Sequence, residues 1–141
     1  MSSNYEIHFA ASAPLDGSLA VMLQAAGVSK PAGSQDADPQ GICDRAAGIA
    51  RFKAKSMGTL EVIAPQGSKA DRLLVLGLGK PDDLTDYDWM RAGGAAAAGF
   101  KSATDVVVFL DAPGIEVEAA RAADFALGVM LRGYSFDTYK T

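Results

Sequence analysis

Side chains able to do chemistry are sparse in this chain. One histidine, His8, and one cysteine, Cys43, stand among 141 residues. A structural zinc site takes four ligands, usually Cys and His, and a catalytic one about three, so a metal centre here would need carboxylates for most of its ligands. A lone cysteine also makes no intrachain disulfide. As a nucleophile Cys43 would need a lowered pKa, and no partner for that is evident, so it reads as a small thiol near a packed surface. His8 falls in the alternating stretch Tyr5–Ala10, opposite Tyr5, Ile7 and Phe9. It reads as structural, since a Ser–His–Asp triad would have to use it and the chain has no G-x-S-x-G elbow.

Carboxylates come in pairs at Asp36/Asp38, Asp82/Asp83, Asp86/Asp88 and Glu116/Glu118. Each pair sits in a turn or a first helical turn, where acids serve capping and the helix dipole, so these pairs read as structural. Gly77-Leu78-Gly79-Lys80 follows an apolar strand and precedes a helix, the place where open α/β sheets bind ligands. A phosphate cradle of Gly77, Gly79 and Lys80 is one reading. The dinucleotide pattern fails at Asp82 and the Walker pattern fails at Pro81, so a tight turn is the simpler one. Arg45, Arg51, Lys53 and Lys55 cluster at the end of a helix, as a solvated face or a contact for a partner or nucleic acid.

Four strands are expected, Tyr5–Ala10, Thr59–Ala64, Arg72–Leu78 and Asp105–Leu110, and the apolar run Leu19–Leu23 is a fifth or a helix, which its length alone does not separate. The short run Pro65–Asp71 has no room for a crossover helix, so the two strands it joins pair antiparallel, with Arg72–Leu78 central. Lys30–Gln40, rich in Pro, Gly, Ser and Asp, reads as a surface loop. Asp38-Pro39 then starts a helix that ends around Arg51–Ala54 and gathers Ile42, Ala46, Ile49 and Ala50 on one face.

A second helix starts at a capping box of Thr85 and Asp88, with Leu84 and Trp89 as staple, and runs to about Lys101. Its glycines 93, 94 and 99 weaken it by about 1 kcal/mol each, which a close approach of its backbone to the sheet would offset. After the turn Asp111–Gly114, a last helix over about Glu116–Gly133 confines its polar positions to Arg121, Asp124, Gly128 and Arg132. Such a narrow polar stripe implies burial on two sides, by the sheet and by something this chain does not contain.

Composition sets the remaining bounds. With 49% apolar residues and 21% charged, one domain over residues 1–141 is expected. Thirteen basic against seventeen acidic residues leave a net charge of −4, which makes a nucleic-acid partner unlikely as a dominant feature. Glu6 and the lack of a basic n-region argue against a signal peptide. The uncharged run Gly17–Ser29 falls well short of the roughly 20 apolar residues of a membrane helix. A cytoplasmic protein without a membrane partner is expected.

Four strings then combine: RFKAKSMGTLEVIA, DRLLVLGLGK, RAGGAAAAGF and the closing LRGYSFDTYKT. From Arg51 to Thr141 the chain resembles the N-terminal domain of the leucyl (cytosol) aminopeptidase family. The resemblance implies an α/β fold, a mixed and largely buried sheet with flanking helices in a macro-domain-like, three-layer architecture. It implies a parent metallo-aminopeptidase that removes N-terminal amino acids with two divalent ions, Zn or Mn, held in a C-terminal catalytic domain absent from this chain. The family's metal motif N-T-D-A-E-G-R does not occur here, so no catalytic or metal residue carries over, and the segment itself is expected to be inactive. Its implied partners are that catalytic domain and the other subunits of a homo-hexamer. Two other readings stand beside this one: a stand-alone macro-like module binding ADP-ribose or a related nucleotide at Gly77, Gly79 and Lys80, and a DNA-binding accessory domain.

Overall fold

A computed structural model describes residues 14–28, 31–65, 67–101, 103, 105–115 and 117–140, the side chains of 133–140 excepted. The expected strand Tyr5–Ala10, with His8, and Glu116 of the last acidic pair lie outside the described residues. Among the described residues four strands form one sheet in the order β2-β3-β1-β4, where β1 is Leu19–Ala25, β2 Thr59–Ile63, β3 Arg72–Gly79 and β4 Val106–Phe109. β1 runs parallel to β3 and β4, whereas β2 runs antiparallel to β3, as the short connection requires. The architecture is a mixed-sheet α/β fold, and β1 and β3 are its inner strands. β4 has only half-buried residues, where a buried strand was expected, because it pairs on a single side among the described residues.

Strand alternation divides the core in two. Leu19, Val21 and Leu23 of β1 and Leu74, Leu76 and Leu78 of β3 pack on helices α3 (Asp86–Ala98) and α4 (Ala119–Lys140). Ala20, Met22, Leu73 and Val75 turn to the opposite face and meet α1 (Ser34–Ala37) and α2 (Ile42–Ala50) through Ala37 and Cys43. Period-two side chains on strands covered from both sides thus give three layers, helices on each face of the sheet.

Lys30–Gln40 departs from a simple surface loop. It contains α1, and Pro31, Ala32, Ala37 and Asp38 are buried, because the segment closes over the sheet edge instead of leaving it. Asp38 does supply the cap for the following helix, accepting from the Ile42 and Cys43 amides at 2.9 and 2.8 Å. The helix starts at Ile42 and not at Pro39, since Gly41 takes a left-handed conformation first. Its buried residue is Cys43, whereas Ile49, expected on the packed face, is 76% exposed.

The capping box at α3 is complete. The Asp88 amide donates to Thr85 Oγ1 at 3.3 Å and the Thr85 amide to Asp88 Oδ2 at 3.0 Å. That Thr85 amide, with the hydroxyl and Arg91 behind it, holds the Asp88 carboxyl below its ordinary range. Leu84 packs on the core that contains Trp89, as a staple should. The helix ends at Ala98, three residues short of expectation, with Gly99 as its cap.

The glycines of α3 serve α4, not the sheet. A methyl group on Gly93 would overlap the Phe125 carbonyl and stand 3.1 Å from the Val129 nitrogen. A methyl group on Gly128 would overlap the Met90 carbonyl and stand 3.0 Å from the Gly94 nitrogen. Gly128 is therefore a packing residue and does not belong to a solvent stripe. Only Gly99 faces the sheet, against a Leu74 methyl. α4 itself begins at Ala119 and continues to Lys140, past the expected end at Gly133.

Candidate functional site

Gly77 and Gly79 lie in strand β3 and not in a turn. Their amides are already engaged: Gly77 donates to the Gly58 carbonyl at 2.7 Å and Gly79 to the Ala54 carbonyl at 3.0 Å. A Cβ at Gly77 would run into the Ala54–Lys55 backbone, so this glycine exists to let the segment 54–58 lie against the strand. Lys80 is exposed and precedes a 3₁₀ turn, Pro81–Asp83, that carries Asp82 and Asp83.

The segment admitted by Gly77 is unusual. Arg51, Ala54 and Met57 have φ of 57°, 55° and 63°, a left-handed conformation that costs a non-glycine residue roughly 1–2 kcal/mol. These bends turn the chain around a depression of about 420 Å³ lined by Arg51, Phe52, Lys53, Lys55, Thr59 and Leu60 among others. Three of the four clustered cations meet there. The fourth, Arg45, is exposed on α2 and does not line it. Among the described residues, Arg51, Lys53 and Lys55 form no ion pair.

Cys43 is buried at the start of α2. Burial first, and the Asp38 and Asp44 charges beside it, push its thiol up to about 12. A thiol that keeps its proton at neutral pH is no nucleophile, in keeping with a packing role.

One polar cluster was not visible from residue types alone. Arg72 pairs with Glu61 and also donates to the Phe100 carbonyl at 2.8 Å, and Lys101 approaches Glu61 at 3.5 Å. Burial works to raise the Glu61 pKa, but the Arg72 hydrogen bond and the Lys101 charge outweigh it and hold the carboxyl below its usual range. The cluster ties β2 and β3 to the end of α3. The pairing register signals it, because Ile63 stands opposite Arg72 and so puts Glu61 two residues away on the same face.

Two members of the paired carboxylates serve structure: Asp38 accepts from two amides and Asp88 completes the capping box. No three His, Cys, Asp or Glu residues come together among the described residues in a way that could hold a metal ion. The donor set of the described residues does not fit a two-metal centre.

The outer side of α4 is the other notable surface. Phe125 and Val129 are buried against the sheet and α3, while Leu127, Met130 and Leu131 are 46%, 52% and 44% exposed. Arg121 lies over the Trp89 ring at 5.9 Å, so part of the expected polar stripe also packs inward. Among the described residues, no helix is long and apolar enough to cross a membrane.

These features define an α/β domain with a mixed sheet between two helical layers, a basic depression without an ion pair among the described residues, and a helix face with exposed large apolar side chains. Residues 20–141 match the family described as the cytosol aminopeptidase family, N-terminal domain, and the chain belongs to that family. A probable cytosol aminopeptidase of Agrobacterium fabrum is 61% identical over 142 residues, which cover 100% of this chain and 29% of that protein. Proteins of the same name from Rhizobium leguminosarum bv. trifolii and Rhizobium etli are 52% and 51% identical over 141 residues, 100% of this chain and 28% of theirs. The chain thus spans less than a third of the length of these relatives.

Proposed function

We propose that this chain is the non-catalytic N-terminal domain of a longer cytosolic leucyl aminopeptidase, a dimetal enzyme that removes N-terminal amino acids from peptides. Its work is assembly: it packs on the catalytic domain and contributes to a homo-hexamer. The observation that carries this reading is the exposed row Leu127, Met130 and Leu131 on the longest helix, next to residues of the same helix that are fully packed. Three large apolar side chains grouped on one helix face favour a macromolecular contact over water. The family match and the 28–29% share of the relatives support the part of this reading that makes the chain one domain of a longer protein.

In this proposal the two divalent ions, Zn or Mn, belong to the catalytic domain, and the setting is the cytoplasm. A nucleotide cradle at Gly77, Gly79 and Lys80 gains no support, because both glycine amides already serve protein carbonyls.

The purified 141-residue chain should release no p-nitroaniline from leucine p-nitroanilide, with or without added Mn or Zn, under conditions in which a relative of full length turns over. Metal-dependent hydrolysis by this chain alone would overturn the non-catalytic assignment.

A further inference from the structure

We propose that the basic depression beside β2 is a docking site for an acidic peptide segment in extended conformation, bound as an added strand on the open edge of the sheet. Two independent features meet there. The first is charge: Arg51, Lys53 and Lys55 line one concavity and have no carboxylate partner among the described residues. Left-handed backbone at Arg51, Ala54 and Met57 brings the three residues round one concavity, although their exposed side chains keep their rotamer freedom.

The second feature is the edge itself. β2 pairs with β3 on one side and is the terminal strand of the sheet among the described residues. The Ala64 amide donates to the Asp71 carbonyl at 2.8 Å, and the Gly77 amide to the Gly58 carbonyl at 2.7 Å. Hydrogen-bonded pairs recur at every second residue of an antiparallel ladder, so Leu60 and Val62 spend their main-chain groups on β3. The N–H and C=O groups of Thr59, Glu61 and Ile63 then point away from the sheet. Glu61 would repel an acidic strand, but Arg72 and Lys101 already neutralise it.

The occupant follows from this combination. Outward amides and carbonyls match another peptide backbone, the usual basis of strand addition. Phe52 and Leu60 give the depression an apolar floor for one side chain, and about 420 Å³ suits a few residues. A nucleic acid would bring phosphates but no backbone partners for the edge, and it would meet a chain of net charge −4.

The test is a titration of the 141-residue chain, followed by fluorescence anisotropy at near-physiological salt. The probes are a labelled octapeptide of alternating Glu and Val, its Gln–Val counterpart, a Glu–Val peptide N-methylated at alternate amides, and a single-stranded oligonucleotide. The Glu–Val peptide should bind at least tenfold more tightly than each of the other three. Arg51→Glu and Lys53→Glu, both at exposed positions, should each weaken it about tenfold without changing the far-ultraviolet circular dichroism. Equal binding of the Glu and Gln peptides, or unchanged affinity in the two charge reversals, would overturn the site. Equal binding of the N-methylated peptide would overturn strand addition, and tighter binding of the oligonucleotide would overturn the choice of partner.

Discussion

Gly128→Ala is expected to destabilise the chain by about 3 kcal/mol, the upper end of what a single added methyl does in a tight core. The methyl would coincide with the Met90 carbonyl and press on the Gly94 nitrogen, and both obstacles are backbone that no rotamer change can move. α3 and α4 must therefore separate. Separation also loosens Trp89, Phe125 and Val129, which are 0%, 3% and 5% exposed in the shared core. Gly93→Ala meets the Phe125 carbonyl in the same way and should cost a similar amount.

The double substitution should cost clearly less than the sum, because helices already pushed apart accommodate the second methyl. Gly48→Ala is the control. Gly48 is exposed in α2 with nothing within 4 Å of its would-be Cβ, so the better helix propensity of Ala should stabilise by up to about 1 kcal/mol. Urea unfolding followed by circular dichroism reads all four as shifts in midpoint at constant slope. A Gly128→Ala midpoint equal to that of the parent chain would refute the close helix contact.

Trp89→Ala should be as damaging, at about 3–5 kcal/mol. Trp89 has no exposed surface and sits where α3, α4 and the β1–β3 face meet, so truncation leaves a cavity between three elements whose backbones cannot all close in. It also removes the ring under Arg121. Trp89→Phe should cost much less. It keeps most of the apolar volume and removes an indole Nε1 that finds no acceptor among the described residues. Arg121→Gln should cost no more than about 1 kcal/mol, the value of a partly exposed cation–π contact. Thermal unfolding of the three variants gives the order Ala far below Phe, with Gln near the parent. A Trp89→Ala variant as stable as Trp89→Phe would show that the ring is not the centre of this core.

What could be read directly from residues depended on how local the physics is. The Thr85–Asp88 box lies within four residues and was legible in full. The antiparallel pair β2–β3 was also legible, since its short connector leaves no other way to join two period-two segments. Asp38 was recognisable as a cap, but the start of α2 was not, because the left-handed turn at Gly41 postpones the first helical residue. Cys43 is buried, as its reading as a thiol near a packed surface had it, but the exposure of Ile49 went the other way from the apolar pattern, and only the tertiary position of α2 decides it.

Three weak glycines in α3 signalled a close approach, but not its object. That object, Gly128 in α4, is a residue whose own type looked like part of a polar stripe. The four basic residues near Arg51 were visible as a cluster. Their selection into three that share a concavity was not, because the bends at Arg51, Ala54 and Met57 fall on residues that ordinarily avoid positive φ. The scarcity of histidine and cysteine, one of each, was legible by counting alone.

In the proposed assembly the Leu127, Met130 and Leu131 face is covered by the rest of a longer aminopeptidase. Hydroxyl-radical footprinting read by mass spectrometry tests it on the side chains themselves. In the 141-residue chain Met130 should oxidise readily while Met22, with no exposed surface, stays unmodified and serves as the internal reference. In the full-length enzyme Met130 labelling should fall at least tenfold, with Leu127 and Leu131 following it. Equal labelling of Met130 in the two proteins would leave that face in water and contradict the assembly role.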